Sequence, residues 1–346
     1  MSFDLNNYTL LNKIGFGAIR DVFKVQDKKS GSIYAAKISA KSIDQSDVEF
    51  QKNFEREVSI ISKFHHPSIL KYIGVSQTDF EGEDKPVIVT DYMSNGSLED
   101  ILVLSHRGCP PEEWNDTQKL INIYGIARAM SFLHSHNIIH RNLNPSNILL
   151  NQYFFPVISG FSTSINLDND DDEISFEDGI RGTPLYIAPE VWDEVNYSQK
   201  VDVFAYSMIL YEMYANEKPF RGLSMYKIAQ TICKSERPDT SDIEEPYEDL
   251  IERCWSQEPS DRPTFDEIVD ALENDHDFIT DSVEEDDFRK YIDFINKSPN
   301  SVDEKVDVLD FKIDGTKVIK KVNLVKKIDG TNKYSNPYSL YRRICI

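Results

Sequence analysis

The chain has 346 residues, of which 40% are hydrophobic and 28% charged, values that are ordinary for a globular protein. Its formal net charge of −21 at pH 7 argues against nucleic acid as a partner, although solubility alone would also explain this charge. No apolar run approaches the roughly 18 residues that a membrane-spanning helix needs. The N-terminus also lacks the basic and apolar pattern of a signal peptide. We therefore expect a soluble, cytoplasmic protein without a membrane span.

The first ninety residues predict a small lobe that is rich in β-strands. Alternating and β-branched residues predict two short strands within 8–25 and further strands at 32–38, 70–77 and 86–91. Between them, apolar residues at helical spacing predict one helix over 48–64. Five strands and one main helix are the expected content of this lobe.

Beyond residue 97 the apolar pattern becomes helical. The polar, acid-rich stretch at 166–178 predicts a loop. An amphipathic helix is predicted over 284–296, after the main helical region. The other predicted helices span 117–136, 201–215, 225–234, 248–254 and 265–272.

The last part of the chain contains an internal repeat. The sequence Lys-Ile-Asp-Gly-Thr occurs at 312–316 and again at 327–331, and Asp-Gly between alternating apolar residues is typical of a β-hairpin. We expect a small β meander with ten bases against four acids from Lys305 onward. Its basic face is expected to pack on the acidic body. Alternatives are that it meets a partner, or that this tail carries the function and the body only docks it.

The most informative motif lies at 140–147, which reads His-Arg-Asn-Leu-Asn-Pro-Ser-Asn. It resembles the catalytic loop of eukaryotic protein kinases, in which Asn142 would be an Asp that takes the proton of the attacking hydroxyl. An amide cannot accept and keep a proton near neutral pH. At 160–162 the chain reads Gly-Phe-Ser, so Gly160 stands where such kinases have the Asp that binds magnesium.

Other motifs in the same order extend this resemblance over residues 8–272. The chain is similar to protein kinase domains, nearest the tyrosine-kinase-like group. The resemblance implies an α+β, two-lobed fold with a five-stranded N-lobe at 8–93 and a mostly helical C-lobe at 94–275. Residues 276–346 would form an extension consisting of a helix and then the β meander.

The resemblance also implies a nucleotide site. Arg20 replaces the third glycine of the phosphate-binding loop, and its side chain would either fill the phosphate space or point outward without contacts. Asn147 is the remaining candidate metal ligand, so we expect weak ATP binding and regard Mg²⁺ binding as doubtful. An ion pair between Lys37 and Glu57 would orient the lysine toward phosphate. The implied nucleotide-binding residues are Ile14, Gly15, Gly17, Val22, Ala35, Lys37, Glu57, Thr90, Asp91, Met93 and Leu149.

Several further matches are structural. Phe161 would join His140, Ile61 and Tyr72 in an apolar stack between the lobes. Glu190 would form a buried ion pair with Arg262, and Asp202 would cap the backbone of the catalytic loop. Arg141 would pair with acids between 168 and 173, although a solvated loop is the preferred alternative there.

The chain thus has the residues that pack a kinase fold but lacks the two catalytic carboxylates. These features predict a pseudokinase that scaffolds or allosterically regulates signalling proteins, with an active kinase among the candidate partners. The alternative is a low-activity, ATP-dependent serine/threonine kinase, in which Asn142 would orient the hydroxyl and Asn147 would hold one metal ion.

Overall fold

The computed structural model describes residues 3–16, 20–40, 48–167, 182–192 and 198–302. Within these ranges no helix combines the length and apolar character needed to cross a membrane. The predicted β meander with both copies of the repeat lies outside the described residues, as does the acidic stretch at 168–173.

The N-terminal lobe is a five-stranded antiparallel sheet with one main helix. The strand order is β1-β2-β3-β6-β5. Val25, Ala36, Val87 and Val89 form a small core on one side of the sheet. The elements are β1 Tyr8–Phe16, β2 Arg20–Asp27, β3 Ile33–Ser39, α1 Val48–Lys63, β4 Phe64–His65, β5 Tyr72–Ser76 and β6 Val87–Asp91. The predicted five strands and one helix are confirmed.

The C-terminal lobe is mostly helical, and the α+β class is confirmed. Helix α5 is buried along most of its length and forms the centre of the large core together with α3. Two short antiparallel strand pairs, β7 with β10 and β8 with β9, flank the catalytic loop at 140–147 and the segment that contains Phe161. The elements are α2 Leu98–His106, α3 Asp116–His134, β7 Ile138–Ile139, β8 Ile148–Leu150, β9 Pro156–Ile158, β10 Ile165–Asn166, α4 Pro189–Trp192, α5 Lys200–Tyr214, α6 Met225–Cys233, α7 Glu245–Cys254 and α8 Phe265–Asn274.

Helix α2 was not predicted as a separate element, although the sequence carries its signal. Ser97 and Asp100 form a reciprocal capping box at its N-terminus, which satisfies two backbone N–H groups. Leu98, Ile101 and Leu102 bury one side of the helix. A serine followed three residues later by an acid, just before an apolar run, is the pattern that would have located it.

The C-terminal extension contacts both lobes. It contains the predicted amphipathic helix, observed as α9 Glu285–Lys297, and then β11 Ser301–Val302. Helix α9 packs on α3, whereas β11 pairs antiparallel with β4. The hydroxyl of Tyr291 lies 3.3 Å from the hydroxyl of Ser68, in the segment between β4 and β5. The extension therefore connects the helical lobe with the segment that immediately follows α1.

Candidate functional site

Three charged side chains meet between β2, β3 and α1. The ammonium of Lys37 lies 2.9 Å from one carboxylate oxygen of Glu57, as the sequence predicts. The guanidinium of Arg20 binds the other oxygen of the same carboxylate. Arg20 therefore does not point outward without contacts, and that alternative is wrong. Its guanidinium also lies 5.2 Å from the ring centroid of Phe54 on α1.

The two cations keep Glu57 ionised. Burial by itself would raise the pKa of this carboxyl, but the charges of Lys37 and Arg20 outweigh burial and lower the pKa to about 2. A buried carboxylate is stable only when its charge is paired and hydrogen-bonded, and both conditions are met here. The cluster fixes α1 against the sheet.

The region expected to hold adenine consists of residues whose positions are set by strand register. Val22 is opposite Lys37, and Ala35 is opposite Thr90, so each pair lies on one face of the sheet. Thr90 is buried and small, and its hydroxyl donates to the carbonyl of Asp91, 3.2 Å away.

The remaining predicted nucleotide-binding residues differ in burial and surroundings. A Cβ added to Gly15 would lie 3.3 Å from the Cβ of Val22, so glycine keeps the turn close to β2. Ile14 is exposed, whereas Met93 and Leu149 are half-buried. Burial raises the pKa of Asp91. Gly17 lies outside the described residues.

The catalytic loop holds a network of amides in place of a carboxylate. The side-chain oxygen of Asn142 accepts hydrogen bonds from the amide of Asn144 at 3.0 Å and from the hydroxyl of Thr183 at 3.4 Å. The amide of Asn147 donates to the backbone carbonyl of Asn142 at 2.8 Å. The network positions Asn142 well, but it contains no group that can act as a general base.

The predicted metal position does not fit Mg²⁺. Gly160 has no side chain, and a Cβ added there would lie 2.5 Å from the side-chain oxygen of Asn147. Mg²⁺ sites in proteins use one or two carboxylates together with substrate phosphates. Among the residues that the structure describes, no cluster of three His, Cys, Asp or Glu side chains is present. The amide oxygen of Asn147 is a single, uncharged ligand and cannot replace the carboxylates that Mg²⁺ requires.

The apolar stack between the lobes is intact. The rings of His140 and Phe161 have centroids 5.1 Å apart, and both residues are fully buried. Ile61 belongs to the same core cluster, and Tyr72 packs at its edge. His140 contacts the carbonyl of Ser159 at 2.9 Å, and burial lowers the pKa of its imidazole. Residue 161 therefore retains the packing role predicted for it.

Asp202 caps the catalytic loop, as the sequence predicts. Its carboxylate accepts the backbone N–H groups of His140 at 2.8 Å and Arg141 at 2.9 Å, and it contacts His134 at 3.0 Å. Burial would raise the pKa of Asp202, but these partners lower it overall.

Arg141 has a φ of 63°, and its side chain donates to the carbonyl of Thr163. The acids suggested as its partners lie outside the described residues.

The predicted ion pair between Glu190 and Arg262 in the C-terminal lobe is bidentate. The guanidinium of Arg262 lies 2.7 and 2.8 Å from the two carboxylate oxygens of Glu190. The same guanidinium donates to the carbonyls of Ser256 and Lys200, and it is fully buried. A fork of this kind holds the segment around α4 in place.

Two contacts were missed by the sequence analysis. Arg20 was not matched with Glu57, and no partner was predicted for Asn144. The Asn142–Asn144 spacing carried a usable signal, since short amide side chains two residues apart commonly bond to neighbouring backbone and to each other.

This geometry agrees with comparison to known proteins. The family model for the protein kinase domain matches residues 8–272. The chain belongs to the protein kinase domain family.

Individual relatives are also kinases by name. The "Probable serine/threonine-protein kinase drkC" of Dictyostelium discoideum is 31% identical over 274 residues, which are 78% of this chain and 35% of that protein. The "Serine/threonine/tyrosine-protein kinase HT1" of Arabidopsis thaliana is 30% identical over 275 residues, which are 78% of this chain and 67% of that protein. The aligned part is thus about a third of the Dictyostelium relative.

Proposed function

We propose that this protein kinase domain is a pseudokinase of the tyrosine-kinase-like group, acting as a scaffold or allosteric regulator of cytoplasmic signalling proteins. The observation that carries the proposal is the pair of neutral residues Asn142 and Gly160 inside an otherwise assembled frame. Two further features support it: the Lys37–Glu57 pair fixes α1 against the sheet, and the stack around Phe161 links the two lobes, so the frame has a defined arrangement that a partner can recognise.

The two losses are large enough to remove useful turnover. Loss of a general base typically costs ~10²–10⁴ in rate. Loss of a metal that neutralises phosphate charge costs several kcal/mol more, and each ~1.4 kcal/mol is a factor of ten. A combined loss of ~10⁶-fold, within the range of these two effects, brings a typical kinase turnover of ~1–100 per second below about one event per hour.

A low-activity serine/threonine kinase is the second candidate. It is favoured by the Lys37–Glu57 distance of 2.9 Å and by the hydrogen bond from Thr183 to Asn142. The relatives, which are named as serine/threonine kinases, favour the same candidate. In this case Asn142 would orient a substrate hydroxyl without taking its proton.

We further propose that residues 8–275 form the kinase domain and that 276–346 form a C-terminal extension, a helix followed by a β meander. The family match ends at residue 272, before α9 and β11. Since this extension contacts both lobes, a partner that binds the extension would be able to change the arrangement of the lobes.

The deciding experiment is intact-mass measurement of the purified chain after long incubation with ATP and either Mg²⁺ or Mn²⁺. A Lys37→Met variant in parallel exposes contaminating kinases. We expect no added phosphate on either protein. Added phosphate that requires Lys37 would establish the second candidate and remove the first.

A further inference from the structure

We propose that the site between the lobes binds the triphosphate of a nucleotide without a divalent cation, and that Arg20 supplies the positive charge that a metal would otherwise provide. This inference rests on the proposed function, since it concerns the same site. The inference goes beyond the proposed function because it assigns a phosphate-binding role to Arg20 and a mode of nucleotide binding that needs no metal ion.

The direction of the Arg20 side chain places its charge beside that of Lys37. Residues 20 and 22 are two apart on β2, so their side chains lie on the same face of the strand. Val22 is directly opposite Lys37 on β3. Arg20, Val22 and Lys37 thus share one face of the sheet, on which Arg20 and Lys37 reach Glu57 of α1, and only 14% of the Arg20 side chain is exposed.

The net charge of the site also favours a triphosphate without a metal ion. In the family pattern, positions 20, 37, 57, 142 and 160 hold a glycine, a lysine and three carboxylates, which is a net charge of −2. In this chain the same positions hold two cations, one carboxylate and two neutral residues, which is a net charge of +1. A site of charge −2 needs Mg²⁺ to accept a triphosphate. A site of charge +1 attracts the triphosphate directly.

Arg20 and Lys37 each retain hydrogen-bond donors that Glu57 does not use. The Glu57 carboxylate accepts one hydrogen bond from the Arg20 guanidinium and one from the Lys37 ammonium. Within the part of the chain that the structure describes, the other N–H groups of these two side chains have no protein acceptor. A guanidinium matches two phosphate oxygens at once, and the ammonium adds a point charge beside it.

A purely structural role for Arg20 makes a different prediction. If Arg20 only held α1 through Glu57 and the Phe54 ring, its removal would change binding of the nucleoside and the nucleotide to the same extent. If it binds phosphate, its removal weakens ATP binding and leaves adenosine binding unchanged.

The test is calorimetric titration of the full chain with ATP, ADP and adenosine, in EDTA and in Mg²⁺. We expect the Kd for ATP in EDTA to be within about twofold of the value in Mg²⁺ and at least about tenfold tighter than for adenosine, since charged hydrogen bonds contribute this much. Arg20→Gly restores the family residue and should weaken ATP binding in EDTA about tenfold, without changing adenosine binding. Arg20→Lys, which keeps the charge, should retain most of the affinity, and thermal melting checks that both variants fold.

Three results would overturn the inference: ATP binding only with Mg²⁺, unchanged ATP affinity in Arg20→Gly, or an equal loss for ATP and adenosine. Absence of ATP binding under both conditions would also overturn it. None of these results bears on turnover, which the phosphate mass measurement decides separately.

Discussion

The side chain of Asn147 occupies the space that a side chain at position 160 would need. A Cβ on Gly160 would lie 2.5 Å from the Cγ of Asn147. The φ of Gly160 is 84°, in the left-handed region where an ordinary residue is strained. The amide of Asn147 donates to the backbone carbonyl of Asn142, so the present position of Asn147 and a side chain at position 160 exclude each other.

Restoring the acid should therefore create metal dependence. In Gly160→Asp, Asn147 must rotate away, which returns a carboxylate and an amide oxygen to the metal position. We expect ATP to bind about tenfold more tightly in Mg²⁺ than in EDTA, which corresponds to about 1.4 kcal/mol. Titration calorimetry measures this ratio, and Gly160→Ala is the control because it has the same crowding without the carboxylate. Equal ratios in both variants would show that the site cannot hold a metal even with the acid restored.

The charge cluster at Glu57 should control stability in acid. Its pKa falls from 4.5 to about 2 on folding, so its stabilising contribution is fully present above pH about 4.5 and is lost as the pH falls toward 2. A shift of this size corresponds to about 3 kcal/mol. We expect Glu57→Gln to lower the free energy of unfolding by that order at pH 7 and to flatten its dependence on pH below 4.5. Urea unfolding at several pH values measures both, and parallel profiles for the two proteins would contradict the assignment.

The sequence predicted more of this site than of the contacts around it. The pairing of Lys37 with Glu57 followed from family spacing, and Asp202 and Arg262 were placed with their correct partners. The bond from Arg20 to Glu57 was not predictable in this way. A strand position gives the face of a side chain, but the reach of a long arginine depends on how closely α1 packs against the sheet.

The same limit applies to pairings between distant segments. Helix α9 was predictable because its amphipathic pattern is local, whereas β11 is two residues long and pairs with β4 more than two hundred residues away in the sequence.

The start of helix α7 was also missed. Helix α7 begins at Glu245, three residues before its apolar pattern suggested, because Pro246 in its first turn is compatible with a helix start.

The ion pair of Glu190 with Arg262 should be a major element of stability. Glu190→Gln would leave a fully buried guanidinium without its counter-charge, and breaking such a pair typically costs ~3–5 kcal/mol. The control is Lys218→Ala, which breaks an exposed pair with Glu99 at 3.3 Å and should cost less than about 1 kcal/mol. Urea unfolding of the two variants gives the comparison. Similar losses would mean that the surrounding carbonyls alone satisfy Arg262.

The extension should stabilise the domain mainly through Tyr291. This side chain is buried against Tyr124 and Phe155, and its hydroxyl reaches Ser68. Since Tyr291→Ala removes a large buried ring, we expect a loss of ~3–5 kcal/mol in the free energy of unfolding.

Phe294→Ala on the same helix is the matched control, because this ring is 48% exposed and its removal should cost much less. Hydrogen exchange in the two variants separates local from global effects. We expect Tyr291→Ala to increase exchange at β4 and the end of α1 as well as in α9, because the Ser68 contact and the β11 pairing connect these segments. Increased exchange confined to α9 would show that the extension is only attached to the C-terminal lobe and does not act on the lobe that carries Glu57.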